Sequence, residues 1–229
     1  MLDKERPYNE RLFSKGIRSK IHYSRFHWLQ SSLRKLNCVP KSVIELGCYD
    51  AKTIHFLPTK PDRYVGLDAN FEGGLDLAKS IWNDQNFRFY ECSTPNEINI
   101  DESFEISICM ETFELISPDL LEAYVEKLAR LTSKYIFVTT SNQKGLGFGA
   151  KHLVKLLLGY DVPKYTINEF FQAVIGNMHM IKRNNRKGWD YNVIKLILSK
   201  YFNIIQMSKY PFRILPGFGV CFIGEKKQY

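Results

Sequence analysis

The sequence lacks the features that define several specialised classes of protein. Its uninterrupted apolar runs are all far shorter than the roughly 18 residues that a transmembrane helix needs. The opening stretch, MLDKERPYNE, has no apolar core of the kind found in secretion signals. The five cysteines form no CxxC pair, so buried, reduced thiols in a cytoplasmic protein are expected and no zinc site is predicted.

The composition that remains is that of one folded domain. Of the 229 residues, 45% are hydrophobic and 14% aromatic, which is too apolar for disorder and sufficient for a sizeable core. The net charge of +8 is uneven, because residues 1–36 hold nine Lys or Arg against three Asp or Glu, and Lys182, Arg183, Arg186 and Lys187 form a second cluster. A nucleic-acid binder would spread positive charge over the body of the domain. A solvated helix face and a surface that contacts phosphate or a membrane both remain open interpretations.

Predicted strands and helices alternate from residue 42 onward. The strands are predicted at 42–46, 63–68, 86–91, 104–109, 134–139, 202–207 and 218–224, and the helices at 51–57, 73–82, 117–131, 147–158, 167–176 and 190–200. Several strands are apolar at consecutive residues, which indicates a sheet with helices on both faces. The alternation predicts an α/β fold with a doubly wound, mostly parallel sheet of seven strands. The link PFRILPG has no helical pattern, so the C-terminal strand is expected to pair antiparallel at one edge.

The N-terminal segment differs in texture from the rest of the chain. Residues 11–36 place apolar side chains at nearly helical spacing with basic residues between them, which predicts one or two amphipathic helices. We therefore divide the chain into a basic N-terminal segment, residues 1–38, and a main domain, residues 39–229. Helices at about residues 144–190 are predicted to form an insertion after the fifth strand.

The loop after the first predicted strand has one glycine where nucleotide-binding loops usually have two or three. It reads ELGCYDA over residues 45–51, so the G-x-G-x-x-G fingerprint and the P-loop pattern are both absent. Diphosphates need several bare backbone amides at a helix N-terminus, and this loop is poorly suited to supply them. It suits a ligand that has a cationic amino acid end, a ribose and an adenine, because Glu45 and Asp50 can face positive charge. Asp68 ends the second predicted strand 23 residues after Glu45, a distance typical of the acid that binds ribose hydroxyls.

Four stretches in sequence order, VIELGCYDA, YVGLDANFEGGLDLAK, FYECST and FEISICMETFELISPDLLEAY, resemble the class I S-adenosylmethionine-dependent methyltransferases. The resemblance covers roughly residues 40–140 and implies a Rossmann-like enzyme domain that uses S-adenosyl-L-methionine. It also implies that the first loop borders the methionine part of the cofactor, that the second strand's end holds the ribose, and that the third and fourth strand ends complete the site. The cofactor-binding residues so implied are Glu45, Gly47, Cys48, Tyr49, Asp68, Ala69, Asn70, Cys92, Ser93 and Met110. Two positions depart from the family pattern: Tyr49 replaces a usual glycine, and Leu115 replaces a histidine that serves as a base in some relatives.

The resemblance further implies roles for the segments outside the motifs. Relatives place the segment before the first strand over the cofactor, so residues 1–38 are expected to act as a lid. They build the acceptor pocket from helices inserted after the fifth strand, which here are those at about 144–190.

The implied reaction is in-line displacement of the sulfonium methyl by an acceptor oxygen or nitrogen, and a hydroxyl acceptor gains from a general base. The candidate catalytic residues are Glu111, His152, His179 and Asp190. Glu111 has the best position, at the fourth strand's exit, whereas either histidine is equally compatible with a surface role. A divalent metal held by Glu111 and Asp190 is a guess that their separation in sequence does not support, so no metal is predicted.

Three of the acids and thiols near the motifs also have purely structural interpretations. Asp68 is compatible with a helix N-cap. Glu114 is better explained as a solvated acid in a first helical turn than as a catalytic group. Cys92 is better explained as a small buried hydrophobic residue.

Shorter stretches, ERPYNERL, ANFEGGLDLAK, FGAKHLVK and RKGWD, resemble methyltransferases linked to glycan and polysaccharide synthesis. They imply a carbohydrate acceptor: a glycan, a nucleotide-sugar or a lipid-linked sugar. The region after the fifth strand is rich in aromatic residues that either stack on sugar rings or fill the core under the inserted helices, namely Tyr160, Tyr165, Phe170, Phe171, Trp189 and Tyr191.

Two alternatives to O-methylation of a sugar hydroxyl stay open. One is a methyltransferase that acts on RNA, protein or another small molecule, although METFELI lacks the [DNS]-P-P-[YFW] signature of many nucleic-acid enzymes, which makes a nucleic-acid partner less expected. The other is a non-catalytic module that has kept the fold. Peripheral contact with a membrane and the oligomeric state are also left open.

Overall fold

The computed structural model describes residues 12–13, 16–157, 159, 162–184, 186–211 and 218–228, and for Ile17 and Arg18 it describes the backbone. The predictions for residues 1–11 and for Tyr160 lie outside the described residues. Within them, a seven-stranded sheet has the order β3-β2-β1-β4-β5-β7-β6. The strands are β1 (Ser42–Leu46), β2 (Arg63–Asp68), β3 (Phe87–Glu91), β4 (Phe104–Met110), β5 (Thr132–Ser141), β6 (Phe202–Tyr210) and β7 (Gly219–Lys226).

The first five strands are parallel, and β7 runs antiparallel to both of its neighbours. The predicted sheet of seven strands with an antiparallel C-terminal strand is therefore confirmed. One detail differs, because β7 lies between β5 and β6, so that β6 is the outer strand. The link between β6 and β7 is too short for a parallel crossover, and β7 pairs with β5 over seven residue pairs, from Tyr135↔Glu225 to Ser141↔Gly219.

Six α-helices lie around the sheet in the described part of the chain. They are α1 (Ile17–Lys35), α2 (Gly74–Ile81), α3 (Leu121–Leu131), α4 (Leu146–Leu157), α5 (Ile167–Ile175) and α6 (Tyr191–Tyr201). Short 3₁₀ turns occupy Lys52–Phe56, Phe71–Gly73, Pro95–Glu97, Phe113–Leu115 and Met178–Met180. The helix predicted at 51–57 is thus a 3₁₀ helix, and in the N-terminal region residues 17–35 form one long helix.

The helices cover both faces of the sheet, as the consecutive apolar strand residues predicted. On one face, α3 and α6 pack on Ile44, Leu67 and Cys109. On the other face, α1 and the Lys52–Phe56 turn pack on Val43, Ile106 and Phe137. Neighbouring residues of one strand therefore belong to different cores, because strand side chains alternate between the two faces.

The helix α1 is part of this second core. Its Phe26, Leu29 and Leu33 are 4%, 0% and 0% exposed, and the ring of Phe26 stacks on that of Phe56 with centroids 4.9 Å apart. Full burial of such side chains stabilises a fold by about 1.5–3 kcal/mol each. Residues 16–35 are thus integral to the fold, whatever else they do at the site.

Candidate functional site

A large cavity opens at the carboxyl ends of β1, β2 and β4. Strand order reverses here, since β1 connects onward to β2 on one side and pairs with β4 on the other. Ligands of open α/β sheets bind at this switch point. The cavity has a volume of about 1890 Å³ and is lined by the loop after β1, by Asp68, by Met110 and Glu111, and by residues of the inserted region.

The loop after β1 has the positive φ angles of a glycine-rich turn, although it contains fewer glycines. Gly47 has φ +74°, and a Cβ at this position would lie 2.0 Å from Thr112 Oγ1, so the β1 and β4 exits meet without room for a side chain. Tyr49 and Ala51 also have positive φ, 49° and 55°. Each costs about 1–2 kcal/mol relative to the right-handed region, so the surrounding structure holds the loop in this shape.

The side chain of Tyr49 is seated against the start of α2. A Cβ on Gly74 would lie 2.2 Å from the Tyr49 ring, so this contact requires glycine. The backbone N–H of Tyr49 donates to Asp68 Oδ2 at 2.9 Å. Tyr49 thus forms a wall of the cavity and fixes the carboxylate of Asp68.

Asp68 presents its carboxylate to the cavity while both oxygens accept from backbone. Oδ1 accepts the N–H of Phe71 at 3.4 Å, in addition to the Tyr49 bond to Oδ2. Burial raises the pKa of Asp68, and these hydrogen bonds act against the rise. A third backbone N–H, that of Asn70, also acts on this carboxylate. A carboxylate has about four acceptor positions, so one remains for a ligand. The bond from Phe71 lies at the start of the Phe71–Gly73 turn, so the Asp68 side chain both holds this turn and lines the cavity.

Glu45 lies at the cavity wall but is almost wholly buried. It is 1% exposed, and its two oxygens accept from Thr53 Oγ1 at 2.6 Å and from Tyr64 Oη at 2.5 Å. Burial raises the pKa of Glu45 to about 8, against the effect of these two hydrogen bonds. Asp50, the other acid of the loop, forms an ion pair with Lys52 at 2.8 Å.

The other cofactor-binding residues implied by the sequence surround the same cavity with one exception. Cys48, Ala69, Cys92, Ser93 and Met110 line it, whereas Asn70 does not. Asn70 has φ 55° and uses its side chain to hold the start of α2, accepting from Leu75 N at 3.2 Å. Cys92 is 4% exposed, and its thiol lies 3.1 Å from Thr94 O. All five cysteines are buried and free, as expected.

Glu111 lies at the cavity between two long-range partners. Arg25 Nη1, from α1, is 2.5 Å from Glu111 Oε2, and Tyr210, at the end of β6, donates its hydroxyl to Oε1. Burial acts to raise the pKa of Glu111, but the charges of Arg25, His22 and Arg186 and the hydrogen bond from Tyr210 outweigh it and lower the pKa to about 2. A carboxylate with this pKa is a weak proton acceptor at neutral pH.

Glu114 is fully buried, so the interpretation as a solvated acid is wrong. It is 0% exposed, and it accepts from Thr140 Oγ1 at 2.9 Å and from Ser141 N at 3.1 Å. The Phe113–Leu115 turn directs it against the end of β5 and away from solvent. Burial raises its pKa, and the charge of Arg186 acts in the opposite direction.

The other three catalytic candidates do not line the cavity. His152 is 9% exposed and packs among Phe148, Tyr165 and Phe170, with ring centroids 5.3–5.7 Å away. His179 is exposed on the Met178–Met180 turn. Asp190 caps α6 by accepting from Asn192 N and forms an ion pair with Lys144 at 2.6 Å.

The aromatic residues after β5 mostly fill two cores. Trp189 is 1% exposed and belongs to the core on the α3 and α6 face of the sheet. Tyr165 and Phe170 pack on a small cluster of Phe148, Ala173, Met178 and Ile181 in the inserted region. Phe171 is 60% exposed on α5. The described aromatics after β5 are absent from the cavity wall, so packing explains most of them.

Three residues at or near the site were not predicted from the sequence. Arg25 and Tyr210 reach Glu111 across 86 and 99 residues of chain. Lys151, the neighbour of His152, donates to Asn142 O at 2.9 Å, and burial, with the charge of Lys155, lowers its pKa to about 8. The basic spacing of α4 was a signal for Lys151, but no local pattern marks the other two residues.

Comparison with known proteins identifies the fold. No protein-family model matches the sequence, and no curated protein matches it. Among solved structures, an S-adenosylmethionine-dependent methyltransferase from Clostridium acetobutylicum has a TM-score of 0.65, at 13% identity over 96% of this chain and 99% of its own. The magnesium protoporphyrin IX methyltransferase of Synechocystis with bound SAH has a TM-score of 0.64, at 14% identity over 95% and 92%. The N-methyltransferase NodS of Bradyrhizobium japonicum has a TM-score of 0.59, at 8% identity over 90% and 97%.

The chain therefore has the Rossmann-like methyltransferase fold. At these identities the likeness establishes the fold alone. Among the described residues, no helix is long and apolar enough to cross a membrane. The same residues include no group of three His, Cys, Asp or Glu that is arranged to hold a metal ion.

Proposed function

We propose that this protein is an S-adenosyl-L-methionine-dependent methyltransferase. The observation that carries the proposal is the cavity at the strand-order switch, where Asp68 faces a hollow bordered by Gly47 and Met110. The residues fit the cofactor in two respects. Asp68 keeps an acceptor position for a ribose hydroxyl, and the Tyr49 ring, held against Gly74, forms part of the cavity wall.

The cofactor would be held by the residues of three strand ends. Asp68 binds the ribose, Ala69 and the Cys92–Ser93 turn border the adenine, and the loop at Gly47 borders the methionine part. The cofactor supplies a methyl group on a positively charged sulfur. This chain's residues align the acceptor beside Met110 and exclude water, and such alignment is worth up to roughly 7–11 kcal/mol of the barrier.

We further propose a sugar hydroxyl as the methyl acceptor. The cavity is wide, and about a third of its lining residues are charged, which suits a polyhydroxylated acceptor better than a flat apolar one. The resemblance of short stretches to enzymes of glycan synthesis supports the same choice. Glu111, in its ion pair with Arg25, is better suited to hold α1 against the site than to act as the general base.

We also propose that the N-terminal segment, residues 1–38, acts as a lid. Leu12 and Phe13, together with Arg25 and Phe26 of α1, line the cavity. A truncation of residues 1–30 would remove Leu29, which is fully buried, so a point change at Arg25 is the cleaner test of this role.

The test of the cofactor site is calorimetric titration of the purified protein with S-adenosylhomocysteine. Asp68→Ala should weaken binding by about 10- to 100-fold, because hydrogen bonds to a charged group are lost. Asp62→Ala, which removes an exposed carboxylate outside the cavity, is the matched control. Unchanged affinity in Asp68→Ala would remove the assignment, and no binding by the unaltered protein at high micromolar concentration would favour a non-catalytic module.

The test of the acceptor is a screen of methyl transfer from labelled S-adenosylmethionine to oligosaccharides and to RNA. Transfer to the oligosaccharides supports a sugar hydroxyl. Transfer to RNA alone would replace this choice with the nucleic-acid alternative.

A further inference from the structure

A short basic hairpin forms the wall of the cavity on the side of the inserted region. Asn184 N donates to Lys187 O at 3.1 Å, and Lys187 N donates to Asn184 O at 2.9 Å, which closes the hairpin. Its four cations line the cavity, together with a fifth from the segment before α5: Lys182, Arg183, Arg186, Lys187 and Lys164. We call these five residues the basic wall.

One member of the basic wall, Arg183, is held in place by neutral groups. Arg183 donates to Ile116 O at 2.7 Å, and its guanidinium lies over the Trp189 ring, 4.7 Å from the centroid. Neither contact neutralises its charge. Arg186 is half-buried and lies close enough to the strand-end acids to lower the pKa of Glu111.

The acids near the basic wall do not balance it. Lys187 is paired with Glu169 at 2.8 Å, and Glu111 is already paired with Arg25. The buried Glu114 lies close enough to Arg183 and Arg186 to attract both charges. Lys164 and Lys182 are exposed and have no ion pair among the described residues. These two lysines therefore leave the wall with excess positive charge on the side of the cavity that the inserted region forms.

We propose that the basic wall binds a phosphate or diphosphate group of the acceptor. The inference rests on the proposed function and narrows it: the acceptor is an activated sugar, and a neutral glycan is excluded. Arg and Lys side chains that converge on one concave wall match the oxygens of a phosphate group, and Arg does so with two parallel hydrogen bonds. A nucleotide-linked and a lipid-linked sugar share this diphosphate chemistry, and the experiment distinguishes them.

The experiment compares three acceptors that carry the same sugar: the free sugar, its nucleotide diphosphate and its lipid diphosphate in detergent. Initial rates of methyl transfer are measured for the unaltered protein and for Lys164→Ala/Lys182→Ala. The double variant should raise KM for a diphosphate acceptor by about tenfold or more, since charge-assisted hydrogen bonds are lost, while its affinity for S-adenosylhomocysteine stays the same. Lys195→Ala/Lys209→Ala removes the same charge from exposed lysines outside the cavity and should change nothing.

A binding measurement separates this inference from the proposed function. Inorganic pyrophosphate is titrated into protein saturated with S-adenosylhomocysteine, and the double variant should lose that binding. If pyrophosphate binds through the wall but no sugar accepts a methyl group, the anion site stands and the sugar acceptor falls. If the free sugar is methylated with the same KM as its diphosphates, the sugar acceptor stands and the anion site is overturned. Transfer to RNA alone would overturn the activated sugar.

Discussion

Two regions of the molecule meet at the cavity, and they are built differently. The sheet and its flanking helices, residues 42–141, bury their apolar side chains in two extensive cores, and their loops are held by hydrogen bonds between strand ends. The inserted region, residues 144–190, has among its described residues a separate core of four buried side chains. It leaves large apolar side chains exposed on α4 and α5, among them Leu157 at 85% and Ile167 at 80%.

This difference assigns different tasks to the two sides of the cavity. Residues that lie at strand ends are positioned by the sheet, whereas a thinly packed helical pair opens locally at a smaller free-energy cost. The side proposed for the cofactor is therefore rigid, and the side proposed for the acceptor is adaptable. The basic wall belongs to the adaptable side, which is where specificity for an acceptor is expected to be set.

The largest expected effect is the loss of stability when a core phenylalanine is truncated on either side of the cavity. Phe137→Ala, in the sheet, should lower the free energy of unfolding by about 3–5 kcal/mol, because Phe137 is fully buried in the main core. Phe148→Ala, in α4, should loosen the inserted region while S-adenosylhomocysteine still binds. Denaturant unfolding gives the first result, and hydrogen exchange of α4 and α5 gives the second. If either variant lowered hydrogen-exchange protection equally in the sheet and in the inserted region, the proposed difference between the two sides would be wrong.

The next effect concerns the ion pair that ties α1 to the site. The pKa of Glu111 is lowered from 4.5 to about 2 in the folded protein. A lowered pKa contributes stability that is present above pH 4.5 and is lost as the pH falls toward 2, by up to about 3 kcal/mol. Arg25→Met should remove most of this contribution, reduce stability at pH 7 and flatten its decline below pH 4.5.

Stability curves from pH 7 to pH 2 check this expectation, and Arg34→Met, at an exposed arginine of the same helix, is the control. S-adenosylhomocysteine affinity measured on the same samples tests the lid. A variant with unchanged affinity would separate the ion pair from cofactor binding.

The smallest effect is expected on the exposed face of the inserted region. Leu157→Ser should change the free energy of unfolding by less than about 0.5 kcal/mol, because Leu157 has little buried area to lose. Leu128→Ser, at a fully buried position of α3, is the contrasting variant and should cost several times more. Thermal unfolding of the two proteins makes the comparison, and a large loss for Leu157→Ser would indicate that this face is covered in solution.

Much of the fold followed from the sequence because its signals are local. The strands at 42–46 and 63–68 agree with the structure residue for residue, since apolar runs bounded by polar turns depend on nearby residues only. The loop at Gly47 and the acid at Asp68 were predicted at strand ends for the same reason, and both line the cavity. Glu114 was predicted to be solvated but is buried, because its position in a short turn gives no sign that β5 covers it.

Sequence alone thus determined the order of strands and helices along the chain, the antiparallel direction of the C-terminal strand and the strand-end residues that face the cavity. Only the tertiary structure brought Arg25 and Tyr210 to Glu111, seated Tyr49 on Gly74 and gathered Lys164 and the hairpin into one basic wall. The physical reason is that side-chain periodicity is written into neighbouring residues. Contacts between residues far apart in the chain depend on how complete elements pack, and nothing in the local pattern specifies them.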